Sequence, residues 1–331
     1  MHNGHIGQLA SSERASRFRG AANRSGPGFQ HELLVHSGDD GFLAGTLKFL
    51  GEGVAAEEPM LVAVSEQRIA ALRGALGADA RRIEFADMRV IGANPARIIP
   101  VWQRFLEQHA DSARPLRGIG EPVWGGRTPA ELSECERHES RLDGAFEDAP
   151  AFRLLCPYDL ETLDPDVIHA AARNHPHVAG RPAGANRDYV QPGDPFAGTL
   201  PVPAAAPREL AFSVENLPAV RRLVAEAAAS AALEPARTED LVLAVSELAA
   251  NSICHGGGTG TLRVWVEDRV LLSEVSDHGH IEDPLAGLRT PNPEQLRGRG
   301  LWLVNQVCDL AQIRSSPDAA TTTVRLHMRL P

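Results

Sequence analysis

Ser246-Glu-Leu-Ala-Ala-Asn-Ser-Ile-Cys-His-Gly256 is the stretch on which the reading of this chain turns. Leu241, Val245 and Leu248 recur at helical spacing, so a helix is expected over Arg237–His255. Glu247 and Asn251 stand four residues apart and share one face of that helix. A carboxylate one turn before an amide can hold a water and a divalent cation side by side. Taken alone, such a pair is usually a solvated helix face.

Two further segments stand downstream. Asp277-His-Gly279 ends an apolar run in an acid and a glycine, which alone is mostly a turn. Gly298-Arg-Gly300-Leu-Trp-Leu-Val304 is a glycine turn opening a helix, a place where backbone N–H groups and the positive helix end meet phosphates. Around them the order is a strand at Glu209–Val214, a helix at Leu217–Ala231 and the long helix. Strands at Leu262–Val266 and Val270–Ser276 follow, then a polar loop to Gly300 and a helix at Leu301–Cys308. Strands at Leu310–Ser315 and Thr323–Leu330 close the chain, the last alternating Val324, Leu326, Met328 and Leu330.

The first half alternates differently. Strands are expected at Glu32–His36, Pro59–Ser65, Arg82–Asp87, Leu116–Gly120 and Phe152–Cys156. Helices fall between them, from Phe42 to Leu50, then Glu66–Leu76, Ile98–His109, Pro129–Phe146 and finally Asp164–Arg173. Asp39 and Asp40 sit where an N-cap belongs. Such alternation is the pattern of a parallel sheet covered on both faces. Residues 1–28, rich in Gly, Ser, Arg and Asn, read as a mobile tail. Residues 180–207 hold six prolines and four glycines and read as an extended linker. The expected organisation is therefore a tail (1–28), a first domain (29–179), a linker (180–207) and a second domain (208–331).

Composition narrows the function classes. The chain has 331 residues, 43% hydrophobic and 23% charged, with a net charge of -10. That is a globular composition with room for two domains. Wholesale nucleic-acid binding is disfavoured by the charge, and no run is long and apolar enough for a membrane span. Lys48 is the only lysine and is flanked by Leu47 and Phe49, which excludes a Walker A phosphate loop. Cys135, Cys156, Cys254 and Cys308 are far apart, without a CxxC pair, and read as reduced, mostly buried thiols of a cytoplasmic protein. His175-Pro-His177 and His278-Gly-His280 have no cysteine or acid nearby at metal-ligand spacing, and read as surface or loop histidines.

In combination the three segments of the second half are specific. ELAANSICHG resembles the N box of the GHKL (Bergerat-fold) ATPases, VSDHGHIEDP their G1 box and GRGLWLVNQVCD their G2 box. Within that superfamily residues 208–331 most resemble the anti-sigma-factor serine kinases of bacterial partner-switching modules. The resemblance implies an α/β sandwich, ATP and Mg2+. It implies Glu247 as general base toward a seryl hydroxyl, Asn251 as magnesium ligand and Asp277 as acceptor for the adenine amino group. Gly279 is then the adjacent turn, and Gly298, Arg299, Gly300 and Leu301 form the phosphate-side turn. Arg297 joins Arg299 as a source of cations, and Thr322 is the adenine-side threonine. The family's G1 box runs Asp-x-Gly-x-Gly, whereas its fifth position here is Ile281.

In the first half, VHSGDDGFLAGTLKFLGEGVAAEEPMLVAVS, GEPVWGGR and LLCPYD resemble the MEDS sensory domain. The implied fold is a RecA-like parallel sheet with helices on both faces. The strand ends near His36–Asp40, Trp124–Arg127 and Cys156–Asp159 read either as the lining of a small-molecule pocket or as turns and packed aromatics.

Three functions follow from different classes. The first is an ATP-dependent serine kinase that phosphorylates an anti-anti-sigma (STAS) protein and otherwise captures a sigma factor. Its setting is cytoplasmic and stress-responsive, and a homodimer is compatible with it. The second, a histidine sensor kinase, is disfavoured because residues 208–254 contain no histidine. The third is a docking module that keeps the fold without phosphoryl transfer, and Ile281 is its support. A gyrase-like motor is too large for the second half.

Overall fold

The structure is a computed structural model describing residues 28–181, 186–291 and 298–331. The expected tail therefore lies outside the described residues except for Gly28, and so does Arg297. The chain forms two compact bodies. One holds the residues up to Met88 with Arg104–Gly125 and Leu142–Val190, and the other holds Arg89–Gln103, Gly126–Arg141 and Gln191–Pro331.

In chain order the first elements are β1 (Phe29–His36), α1 (Gly38–Ala55), β2 (Met60–Val64), α2 (Glu66–Leu76), β3 (Glu84–Asp87) and α3 (Met88–Ile91). Then come α4 (Ile98–Gln108), β4 (Leu116–Gly120), α5 (Pro129–Ala145), β5 (Phe152–Asp159), α6 (Pro165–Asn174) and β6 (His177–Val178). The strands make one sheet in the order β3-β2-β4-β5-β1-β6, parallel at every pairing. Its two faces differ in chemistry. Val62, Ile119 and Leu155 point to one face, against Phe42, Phe49 and Leu50 of α1 and Ile69 and Leu72 of α2. The opposite face is aromatic: Phe29 lies 5.5 Å from Phe152 and 5.2 Å from Phe146, centroid to centroid. Both faces are covered, as the near-continuous apolar strands require. Ser37 occupies the N-cap position of α1 without a side-chain capping bond, so Asp39 and Asp40 lie in the first turn instead. There their charge meets the positive helix end.

The second body continues with β7 (Arg208–Ser213), α7 (Leu217–Ser230), α8 (Pro235–His255), β8 (Thr259–Glu267), β9 (Val270–Asp277), α9 (Gly300–Val307), β10 (Leu310–Ser316) and β11 (Thr321–Arg329). Its sheet is antiparallel throughout, in the order β10-β11-β9-β8-β7. Alternation puts Leu262, Val264, Val275, Val324 and Leu326 on one face, against Val220 and Val224 of α7 and Leu241, Val245 and Leu248 of α8. The stripe that marked the buried side of α8 in sequence is the side that packs. Among the described residues no helix is long and apolar enough to cross a membrane.

Candidate functional site

Helix α8 delivers three polar residues to the helix-covered face of the second sheet. Glu247 and Asn251, one turn apart, face the first residue of α9. A Cβ built on Gly300 would stand 3.1 Å from Glu247 Oε2 and 3.2 Å from Asn251 Nδ2. Gly300 is buried, and Gly298 before it has a φ of 82°, a conformation suited to glycine. The turn thus brings a side-chain-free helix start against the Glu–Asn pair. Arg299 is the N-cap residue of α9, and Leu301 packs its side chain on the core.

The other end of the site is built on β9. In-register pairing sets Asp277 opposite Thr322 of β11, and both side chains lie on the helix-covered face. Asp277 Oδ1 accepts from the Gly279 N–H at 2.8 Å, and Oδ2 accepts from Ser252 Oγ at 2.6 Å. Thr322 Oγ1 donates to the Gly279 carbonyl at 3.0 Å and lies 2.9 Å from Ser315 Oγ. Close approach explains two glycines here. A Cβ on Gly256 would fall 2.4 Å from Asp277 Cγ, and one on Gly279 would fall 2.9 Å from Asp277 Oδ1.

The structure therefore groups Glu247, Asn251 and Gly300 at one end and Asp277, Gly279 and Thr322 at the other. Asn251 and Ser252 are consecutive on α8, so one helix serves both ends. Sequence reasoning did not single out Ser252, Gly256 or Ser315. The first two lie inside the N-box stretch itself, whereas Ser315 meets the site only through strand pairing.

Ile281 takes no left-handed backbone conformation; it is absent from the non-glycine residues with positive φ. Its N–H donates to Ser315 Oγ at 3.0 Å, and its side chain packs against the core. The backbone leaves Gly279 along an anchored path where a glycine hinge would have left it free.

In the first body the expected strand-end region is built from ion pairs. Asp159 Oδ1 accepts the Gly38 N–H at 3.0 Å, and Arg68 donates to Asp159 Oδ2 at 3.2 Å and also to Glu121. Burial, then the Arg68 charge, lower the pKa of His36 below its usual value. Burial alone would raise Asp159, yet the Glu161 and Gly38 N–H groups, with His36 and Arg68, hold it below the usual carboxylate range. Arg68 carried no sequence signal, and Glu121 lay inside the GEPVWGGR segment without being singled out. Arg127 belongs to the second body, where it donates to the Gly92 carbonyl at 2.7 Å.

One expectation about histidines is corrected. His278 and His280 are exposed, but His175 is fully buried, and Cys156 comes within metal-ligand distance of it. Parallel strand pairing closes a gap that no sequence spacing reveals.

Fold and site together define a two-domain protein, a parallel α/β domain ahead of an ATPase-type sandwich. Residues 30–176 match the MEDS domain, the methanogen/methylotroph DcmR sensory domain, and residues 210–328 match the histidine kinase-like ATPase domain. The chain carries a MEDS domain followed by a histidine kinase-like ATPase domain. Among solved structures it is similar to the RsbU and RsbW domains of Rv1364c from Mycobacterium tuberculosis. That alignment has 21% identity and a TM-score of 0.28, covering 37% of this chain and 32% of the other. The chain thus spans about a third of that protein. No curated protein matches.

Proposed function

We propose that this protein is an anti-sigma-factor regulator whose ATPase domain is a protein serine kinase. Its substrate is an anti-anti-sigma protein of the STAS type, and it acts in the cytoplasm under control of the first domain. The observation that carries this reading is the contact of Gly300 with Glu247 and Asn251. A phosphate seated on the α9 N-terminus would lie beside a carboxylate and an amide and meet no side chain from position 300.

The residues suit ATP at both ends. Asp277 uses two of roughly four acceptor positions internally, which leaves capacity for an adenine amino group beside Thr322. Gly298, Arg299, Gly300 and Leu301 form the phosphate turn. Asn251 would hold Mg2+, which neutralises charge on the transferring phosphoryl group. Glu247 accepts the proton of the seryl hydroxyl as its oxygen bonds to the γ-phosphorus and the bond to the bridging oxygen of ADP breaks.

The test is incubation with labelled ATP, magnesium and candidate STAS proteins, followed by mapping of phosphoserine. Glu247→Ala is expected to abolish transfer while partner binding is retained, and Asn251→Ala to weaken magnesium-dependent nucleotide binding. Full transfer by Glu247→Ala would overturn the base assignment. The anchored backbone at Ile281 favours a second reading, a docking module that binds sigma factor or antagonist without phosphorylating it. Calorimetric titration of ATP decides between them, because a folded chain that binds no nucleotide is a docking module.

A further inference from the structure

We infer that the first domain holds a transition-metal site made by His31, Cys156 and His175. Their ligand atoms all lie within 4.8 Å of one another, and none of the three side chains is more than 1% exposed. The assembly follows from topology. In the β1–β5 pairing His31 stands opposite Leu154 and Leu33 opposite Cys156, so His31 and Cys156 are diagonal neighbours on the aromatic face. His175 is the C-cap residue of α6, and its ring centroid lies 3.9 Å from that of His31.

The His31–Cys156 distance fits a metal. Zinc bonds of about 2.0–2.1 Å to nitrogen and 2.3 Å to sulfur place tetrahedral ligands about 3.6 Å apart. His31 Nε2 and Cys156 Sγ are 3.5 Å apart. The remaining ring nitrogen of His175 is held as a ligand histidine requires. His175 Nδ1 lies 2.7 Å from the Ala171 carbonyl, which fixes the proton on Nδ1 and leaves Nε2 as the donor to a cation. His31 Nδ1 faces the Asp143 carboxylate, 3.9 Å from Oδ1, too far for a hydrogen bond but close enough for the negative charge to favour a cation-bound ring. Phe29 stacks on His31 at 5.9 Å and Tyr158 meets His175 edge-on at 5.8 Å, so an aromatic ring flanks each histidine.

Two imidazoles and one thiolate suit a borderline-soft divalent ion such as Zn2+, Fe2+ or Co2+ and not Mg2+ or Ca2+. On binding, the cysteine thiol loses its proton to solvent and the thiolate bonds the metal. A fourth position goes to a water, an anion or a further carboxylate. The site is separate from the proposed kinase chemistry, and its test does not depend on that reading.

The test uses the full chain stripped with a chelator and titrated with Co2+. One cobalt per chain is expected, with four-coordinate ligand-field bands and a thiolate-to-cobalt charge-transfer band. Asp143→Asn, which leaves all three ligands in place, should weaken cobalt binding about 10- to 100-fold. Cys156→Ser should remove the charge-transfer band, and Cys135→Ser should leave it unchanged. A folded wild-type chain that gives no cobalt spectrum would overturn the site. So would a spectrum without the thiolate band, since 3.5 Å would then be a thiol–imidazole hydrogen bond only. A thiolate band that survives Cys156→Ser would overturn it as well.

Discussion

Asp277 spends one oxygen on its own turn, through the Gly279 N–H, and the other on Ser252 of α8. With Ser252 able to accept from the new amide and donate to the Leu248 carbonyl, Asp277→Asn can keep both bonds while removing the carboxylate's charge. A charge-assisted bond to adenine would go with it. ATP affinity is expected to fall by about tenfold or more, a loss of about 1.4 kcal/mol, read by calorimetric titration. An unchanged affinity would remove Asp277 from the nucleotide site. His327 gives a second residue-scale prediction. Burial, then the Arg325 charge, push its pKa down to about 4 from 6.5. The folded state therefore refuses a proton that the unfolded state accepts between those values. Stability should fall as pH drops from 6.5 toward 4 and level off below, by at most on the order of 3 kcal/mol. Thermal melting across that window should show the slope, and His327→Gln should flatten it. Asp277 and Glu247 were legible in sequence because each belongs to a short local motif. His31, Cys156 and His175 were not, because strand pairing and a helix end bring them together across most of a domain.

At the scale of elements, the regular periodicities gave up most helices and strands, and the irregular contacts did not. The apolar stripe of α8 and the alternation of β11 are local patterns. The two-residue strand β6 and the single turn α3 are too short to carry a period. Helix α9 shows what is at stake at an element's ends. At its start, Gly300→Ala should by propensity stabilise the helix by up to about 1 kcal/mol. The new methyl would also stand within 3.2 Å of both Glu247 and Asn251. Opposite signs are therefore expected in two measurements: a melting temperature that is kept or raised, and ATP binding that is lost. At its other end, Arg97 donates to the carbonyls of Asn305 at 2.8 Å and Cys308 at 2.7 Å, and Asn94 adds a bond to Asn305 at 3.1 Å. These carbonyls lie where an α-helix has no partners of its own. Arg97→Ala should destabilise the second body by about 1–3 kcal/mol, the range for bonds to a charged donor. Denaturant unfolding measures it.

For the whole molecule the decisive stretch is the proline-rich one that sequence presents as a spacer. Its described part, residues 186–207, forms no helix or strand, yet Phe196 is only 3% exposed and sits in the core of the ATPase body. Composition conceals this, because one buried aromatic among prolines and glycines produces no period. The segment also meets β10, an edge of the antiparallel sheet, at one point: the Phe196 carbonyl accepts the Ser315 N–H at 3.2 Å. Further along, the Pro201 carbonyl accepts from Arg325 at 2.8 Å. An uncovered edge is a template for pairing with another chain. A fragment of residues 208–331 keeps every strand of the sheet but loses both the aromatic plug and the edge cover. Truncating a buried phenylalanine costs about 3–5 kcal/mol, a large share of the stability of a domain this size. We therefore expect 208–331 to fold but to melt well below 191–331 and to self-associate at high concentration. Phe196→Ala in 191–331 should reproduce most of the loss in melting temperature while keeping the fragment monomeric, because the backbone strap stays in place. Calorimetry and sedimentation of the three proteins separate plug from cover, and equal melting of 208–331 and 191–331 would show that residues 191–207 are a spacer after all.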